Sequence, residues 1–172
     1  MKVEHLNACD RDAFVKALEG IYEETDWMSE EAFTRLPFRD VAELKAALRQ
    51  CVDARSFDER LALVRAHPEL AGEKAAALSL SHESTQEQRG AGLLLIDGEP
   101  LERLRALNAA YREKFGFPFV VAVRGANGRG LALDTIVDIL QQRLGFTQEV
   151  ALAESLEQIH LIAALRLDSR FQ

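Results

Sequence analysis

Only one stretch of this 172-residue chain, Phe117-Pro118-Phe119-Val120-Val121-Ala122-Val123, has the apolar, β-branched character of an extended segment. It is flanked by Gly116 and Gly125, it is too short for a helix of its own, and no other stretch reads as a strand that would pair with it. A sheet is therefore not expected, and the chain must bury its apolar surface by packing helices. With 48% hydrophobic residues and four prolines, the chain has the material for one core. The expected fold class is all-α: a multi-helix bundle in a single domain spanning residues 1–172, with one short buried extended segment. No internal repeat, linker or low-complexity stretch divides it.

Helical periodicity accounts for most of the rest. From Asp10 to about Glu24, Phe14, Leu18, Ile21 and Tyr22 recur at three- and four-residue spacing and form one apolar stripe. Asp40-Val41-Ala42-Glu43 and Ser56-Phe57-Asp58-Glu59 are capping boxes, each leading into an apolar repeat. The second helix of that pair should run to Ala66 and stop, because Pro68 disfavours helical geometry at His67. The imidazole is thereby expected to project from a break between helices. Further helices are expected to begin near Ser84 and to span Pro100 to Phe115, Leu131 to Leu144 and Thr147 to Arg166.

Several function classes are disfavoured. A net charge of −7, with no run of Lys or Arg, does not suit phosphate neutralisation, so nucleic acid is not an expected partner. Cys9 and Cys51 are far apart and belong to no C-x-x-C pattern, which argues for reduced core fillers rather than a disulfide framework or zinc site. The start, Met1-Lys2-Val3-Glu4-His5, has no apolar signal-peptide run, and no segment reaches the length of a membrane span. The expected location is cytoplasmic.

The polar equipment of a small acid/base site lies in Ala66-His67-Pro68-Glu69-Leu70-Ala71-Gly72 and in Ser84-Thr85-Gln86-Glu87-Gln88. His67 titrates near neutrality when unperturbed, which makes it the best acid/base candidate, although a lone histidine at a helix end is more often structural. Glu87 stands at capping-box spacing from Ser84, a structural explanation with at least even odds. Gln88 lies four residues from Ser84 on nearly the same face, at a helix start that favours anionic ligands, so cap and site can coexist. His5, His82 and His160 occupy no metal-ligand spacing, and no metal is assigned. Arg124-Gly125-Ala126-Asn127-Gly128-Arg129-Gly130 matches neither the dinucleotide nor the Walker pattern and reads as a turn. On pattern alone, Arg166 is a solvated surface charge.

Taken in order, the His67-Pro68-Glu69-Leu70 motif, the Ser84 to Leu93 segment, Leu107-Asn108-Ala109-Ala110-Tyr111 and the Phe115 to Gly125 stretch resemble the 2-oxo-4-hydroxy-4-carboxy-5-ureidoimidazoline (OHCU) decarboxylase family. The match is strongest from about residue 55 to 125; Trp27 and the Ile162 to Leu167 stretch extend it more loosely. The resemblance implies an all-helical enzyme of urate breakdown, usually a homodimer and needing no cofactor, that converts OHCU to (S)-allantoin and carbon dioxide. By position it makes His67 the catalytic histidine and Glu87 its partner carboxylate. Pro68, Ser84 and Gln88 would line the substrate, and the backbone of Phe119, Val120, Val121, Ala122 and Val123 would contact the ring. An arginine of the last helix aligns with Arg166, with Arg170 and Arg124 as other candidates. The chain departs from the family pattern mainly at Leu94-Leu95-Ile96-Asp97-Gly98-Glu99.

That chemistry suits the residues. The substrate has a carbon–nitrogen double bond beside the carbon that loses its carboxylate, so it supplies its own electron sink. His67, oriented by Glu87, would accept the proton of the adjacent ring hydroxyl, and its conjugate acid or a held water would protonate the neighbouring carbon on one face. Two other readings remain: a cofactor-free lyase acting on another ureido or imidazole acid, and a non-catalytic helical adaptor in which His67 and Glu87 are only helix-end structure.

Overall fold

The computed structural model describes residues 1–23, 25–70, 97–124 and 130–171. Among them run eight helices: α1 (Val3–Asn7), α2 (Arg11–Leu18), α3 (Asp26–Phe33), α4 (Val41–Asp53), α5 (Phe57–Ala66), α6 (Gly98–Phe115), α7 (Leu133–Arg143) and α8 (Gln148–Arg170). Among the described residues no strand forms, and the only β pairing is an isolated antiparallel bridge between Arg124 and Gly130. The fold class is all-α, as the single extended run requires. The helix expected near Ser84 lies outside the described residues.

Helix boundaries follow local chemistry. Asp10 accepts a hydrogen bond from the Ala13 amide at 2.9 Å and starts α2. That helix does not continue towards Glu24 as its apolar stripe suggests. It stops at Leu18, and Gly20 at φ 75° turns the chain, yet Ile21 and Tyr22 are still buried. Burial of these two side chains does not need helix, so periodicity overran the true end. At α4, Asp40 accepts from the Glu43 amide (2.8 Å), while Glu43 reaches past the cap to the Arg39 amide (2.7 Å), which holds its carboxyl below the usual range. At α5 the box closes reciprocally, with the Glu59 amide on Ser56 Oγ and the Ser56 amide on Glu59 Oε2. The helix ends at Ala66, where Pro68 predicts. The three later helices also form, at 98–115, 133–143 and 148–170, the last running four residues beyond Arg166. Sequence reasoning missed α1 and α3, both short.

The chain groups into two compact units, Met1–Leu63 with His160–Gln172, and Val64–Ile159. In the first, α2 packs on α3 and α3 on α4. Phe14 meets Phe33 edge-on at 5.4 Å and stacks on Phe38 at 6.4 Å. Arg55 lies 4.2 Å over the Trp27 ring and pairs with Glu31. Cys51 is a buried filler as expected, whereas Cys9 is half-buried and donates to the His5 carbonyl. His160 is buried against Tyr22, whose hydroxyl is 2.8 Å from its Nδ1. In the second unit, α6 packs on α7. Residues 117–123 leave α6 through Gly116 in the left-handed conformation (φ 75°) and run buried, without a strand partner among the described residues. Tyr111, Phe115, Phe117 and Phe119 form one aromatic cluster, with centroids 4.5 Å (Tyr111–Phe115) and 5.4 Å (Tyr111–Phe119) apart.

Candidate active site

His67 occupies the first position after α5, in a bend where its amide still donates to the Val64 carbonyl at 3.2 Å. The ring is half-buried. Pro68 follows and prevents α5 from absorbing the histidine. Three side-chain contacts then fix the backbone on either side. Arg65 Nε donates to the Gly116 carbonyl at 3.0 Å, Glu69 forms a 2.8 Å ion pair with Arg112, and the Leu70 carbonyl accepts from Asn108 Nδ2 at 2.9 Å. Asn108 and Arg112 are four residues apart on α6 and so share a face, which carries the whole His67–Leu70 turn. Asn108 is 1% exposed, and a buried amide is retained there because it satisfies a buried carbonyl.

A neighbouring face of the same helix carries Tyr111 and Phe115 against Phe117 and Phe119. Helix α6 therefore supports both the histidine turn and the segment 117–123. Among the described residues no ladder serves that segment, and two side chains and one backbone amide meet its peptide groups. Arg143 Nη1 donates to the Val120 carbonyl (2.8 Å), Gln158 Oε1 accepts from the Ala122 amide (3.0 Å), and the Leu131 amide donates to the Val123 carbonyl (2.8 Å). Arg143 also lies 5.3 Å over the Phe119 ring. Burial pushes the Arg143 guanidinium towards losing its proton, and Glu154 at 2.9 Å opposes this. Burial likewise raises the Tyr111 phenol.

His67, Pro68, residues 119–123 and Arg124 thus belong to one unit. Ser84, Glu87 and Gln88 lie outside the described residues. Arg166 and Arg170 belong to the other unit, and Arg166 is not the solvated charge that pattern alone suggests. It is buried, with Nη1 on the Gly20 carbonyl (2.7 Å) and Glu23 (3.0 Å). Arg170, four residues on, donates to the Ala17 and Glu19 carbonyls and so caps the end of α2. Sequence reasoning missed Arg143, Glu154 and Gln158 as supports of the extended segment. The signal for Arg143 was present: it follows Ile136, Val137 and Leu140 on the buried stripe of α7, where an unpaired charge is not tolerated.

The described residues form an all-helical scaffold that braces a half-buried histidine at a proline-enforced helix break. The family model for OHCU decarboxylase matches residues 7–168, and the chain belongs to that family. It is 36% identical over 171 residues to the 2-oxo-4-hydroxy-4-carboxy-5-ureidoimidazoline decarboxylase of Haloferax volcanii, covering 99% of this chain and 96% of that one. The protein of the same name from Halalkalicoccus jeotgali is 34% identical, with 98% and 90% covered. Among solved structures, an (S)-allantoin synthase superposes with a TM-score of 0.74 at 29% identity; the match covers 99% of this chain and 54% of that chain.

Proposed function

We propose that this chain decarboxylates OHCU to (S)-allantoin and carbon dioxide without a cofactor, as one functional domain over residues 1–172, with His67 as the acid/base. The observation that carries the reading is the braced His67 turn in a chain whose family match runs from residue 7 to 168.

In this reaction the bond between the ring carbon and its carboxylate breaks. The freed pair forms a double bond between the two ring carbons, and the carbon–nitrogen double bond collapses onto nitrogen, which takes a proton from solvent. His67, oriented by Glu87, accepts the ring hydroxyl proton and returns it to the neighbouring carbon from one side, which makes the product chiral. Pro68, Ser84 and Gln88 line the substrate, and the backbone of residues 119–123 meets the flat ring. Arg166 is assigned to the substrate's carboxylate or ureido group by resemblance to the family; its bonds to Glu23 and the Gly20 carbonyl fix its plane. The same reading makes the protein a cytoplasmic homodimer.

The test generates OHCU in situ from urate with urate oxidase and hydroxyisourate hydrolase and follows substrate loss and circular dichroism together. Accelerated loss with a growing signal of (S)-allantoin is expected. Unchanged decay to racemic product would reject this substrate and leave a lyase for another ureido or imidazole acid, or an adaptor.

A further inference from the structure

The segment 119–123 presents a structural difficulty that its assigned task makes acute. A buried backbone run without a sheet must find other partners for its peptide groups, and a run that meets a ring must also hold them in register. Four hydrogen bonds close a circuit that achieves this. Glu154 Oε1 accepts from Arg143 Nη2 (2.9 Å) and from Gln158 Nε2 (3.0 Å). Arg143 uses its other terminal nitrogen on the Val120 carbonyl, and Gln158 uses its oxygen on the Ala122 amide. One carboxylate oxygen thus aims both arms, and the arms grip peptide groups two residues apart, one through its carbonyl and one through its N–H. Arg143 is 6% exposed, and its guanidinium carbon lies 5.3 Å over the Phe119 ring, so this arm is not free to wander.

We infer that the Glu154, Arg143 and Gln158 circuit is the positioning device that sets the register of the substrate-facing backbone 119–123. The three are positioning residues, acting through Val120 and Ala122. They stand in for the ladder of a sheet, with one difference. A sheet would spend every peptide group on a neighbour, whereas two side-chain arms grip two chosen groups and leave the spacing between them to be matched to a ligand. Resting on the proposed decarboxylation, the inference predicts that loosening an arm affects substrate binding and facial selectivity before it affects proton transfer at His67.

The experiment compares wild type, Gln158→Met and the pair Glu154→Gln and Glu154→Leu, recording kcat, KM, the fraction of (S)-allantoin and the thermal midpoint on OHCU generated in situ. Gln158→Met keeps length and removes both hydrogen bonds. It should raise KM about tenfold and lower the (S) fraction, within the roughly hundredfold that a misplacement of about 1 Å can cost. Glu154→Gln retains an oxygen acceptor and should be impaired less than Glu154→Leu. If Gln158→Met does not fold, Gln158→Asn, one methylene too short to span both partners, replaces it with the same expectation. KM and (S) fraction within about twofold of wild type in a folded variant would overturn the inference. So would a fall in kcat alone that tracks the folded fraction. A wild-type protein that leaves OHCU to decay at its spontaneous rate to racemate would remove the proposed decarboxylation first, and the inference with it.

Discussion

The turn that carries His67 is braced through Arg65, Glu69 and Leu70. As the proposed acid/base, His67 is tested by His67→Asn, which should abolish the gain in OHCU decay and the chiral signal while the helical circular dichroism stays unchanged. Asn108 behaves in the opposite way. Asn108→Leu leaves the buried Leu70 carbonyl without its donor and should cost about 1–3 kcal/mol, read from the urea midpoint, with a lower rate because the His67 turn loosens. Cys51 offers a test by pH. Burial pushes its thiol from 9.0 up to about 11, so between those values the folded chain keeps a proton that the unfolded chain has lost. Stability contributed by the neutral thiol is then complete below about pH 9 and falls as pH rises towards 11. Urea midpoints measured across that range should decline more steeply for wild type than for Cys51→Ala; parallel curves would refute the shift.

Among the elements, α6 has the most to do. Its exit through Gly116 at φ 75° turns the chain into the buried segment, and the Gly116 carbonyl receives Arg65 from the end of α5. A side chain at that position meets no hard clash, since an added Cβ would lie 3.5 Å from an Arg65 nitrogen, but the left-handed backbone is strained for any L residue. Gly116→Ala should therefore lower stability by about 1–2 kcal/mol, measured by urea denaturation, and should disturb activity by shifting residues 117–123. The boundaries themselves show what local rules can and cannot reach. The box at Ser56 and the stop at Ala66 were legible because cap and proline act through covalent neighbours. The end of α2 was not, because Ile21 and Tyr22 keep helical spacing after the helix has ended and are buried by tertiary packing.

At the scale of the whole molecule, the chain carries a net charge of −7, which sets copies against one another. If it works as a homodimer, as its family resemblance implies, association should strengthen as salt screens that repulsion, and sedimentation across ionic strength would show it. A constant monomer mass throughout would remove the dimer. No described helix is long and apolar enough to cross a membrane. The all-helical class, the family and the helix break at His67 were readable from the amino-acid order, because each rests on short-range chemistry: capping boxes, a 3.6-residue period, ordered motifs and a proline beside the histidine. What only the tertiary structure decided is which distant side chains support that chemistry. Asn108 reaches Leu70 across 38 positions, Arg143 reaches Val120 across 23, and Gln158 reaches Ala122 across 36. Such partners leave no mark in local spacing, since a hydrogen bond between residues far apart in the chain is set by where packing brings their backbones, and only the folded core brings them there.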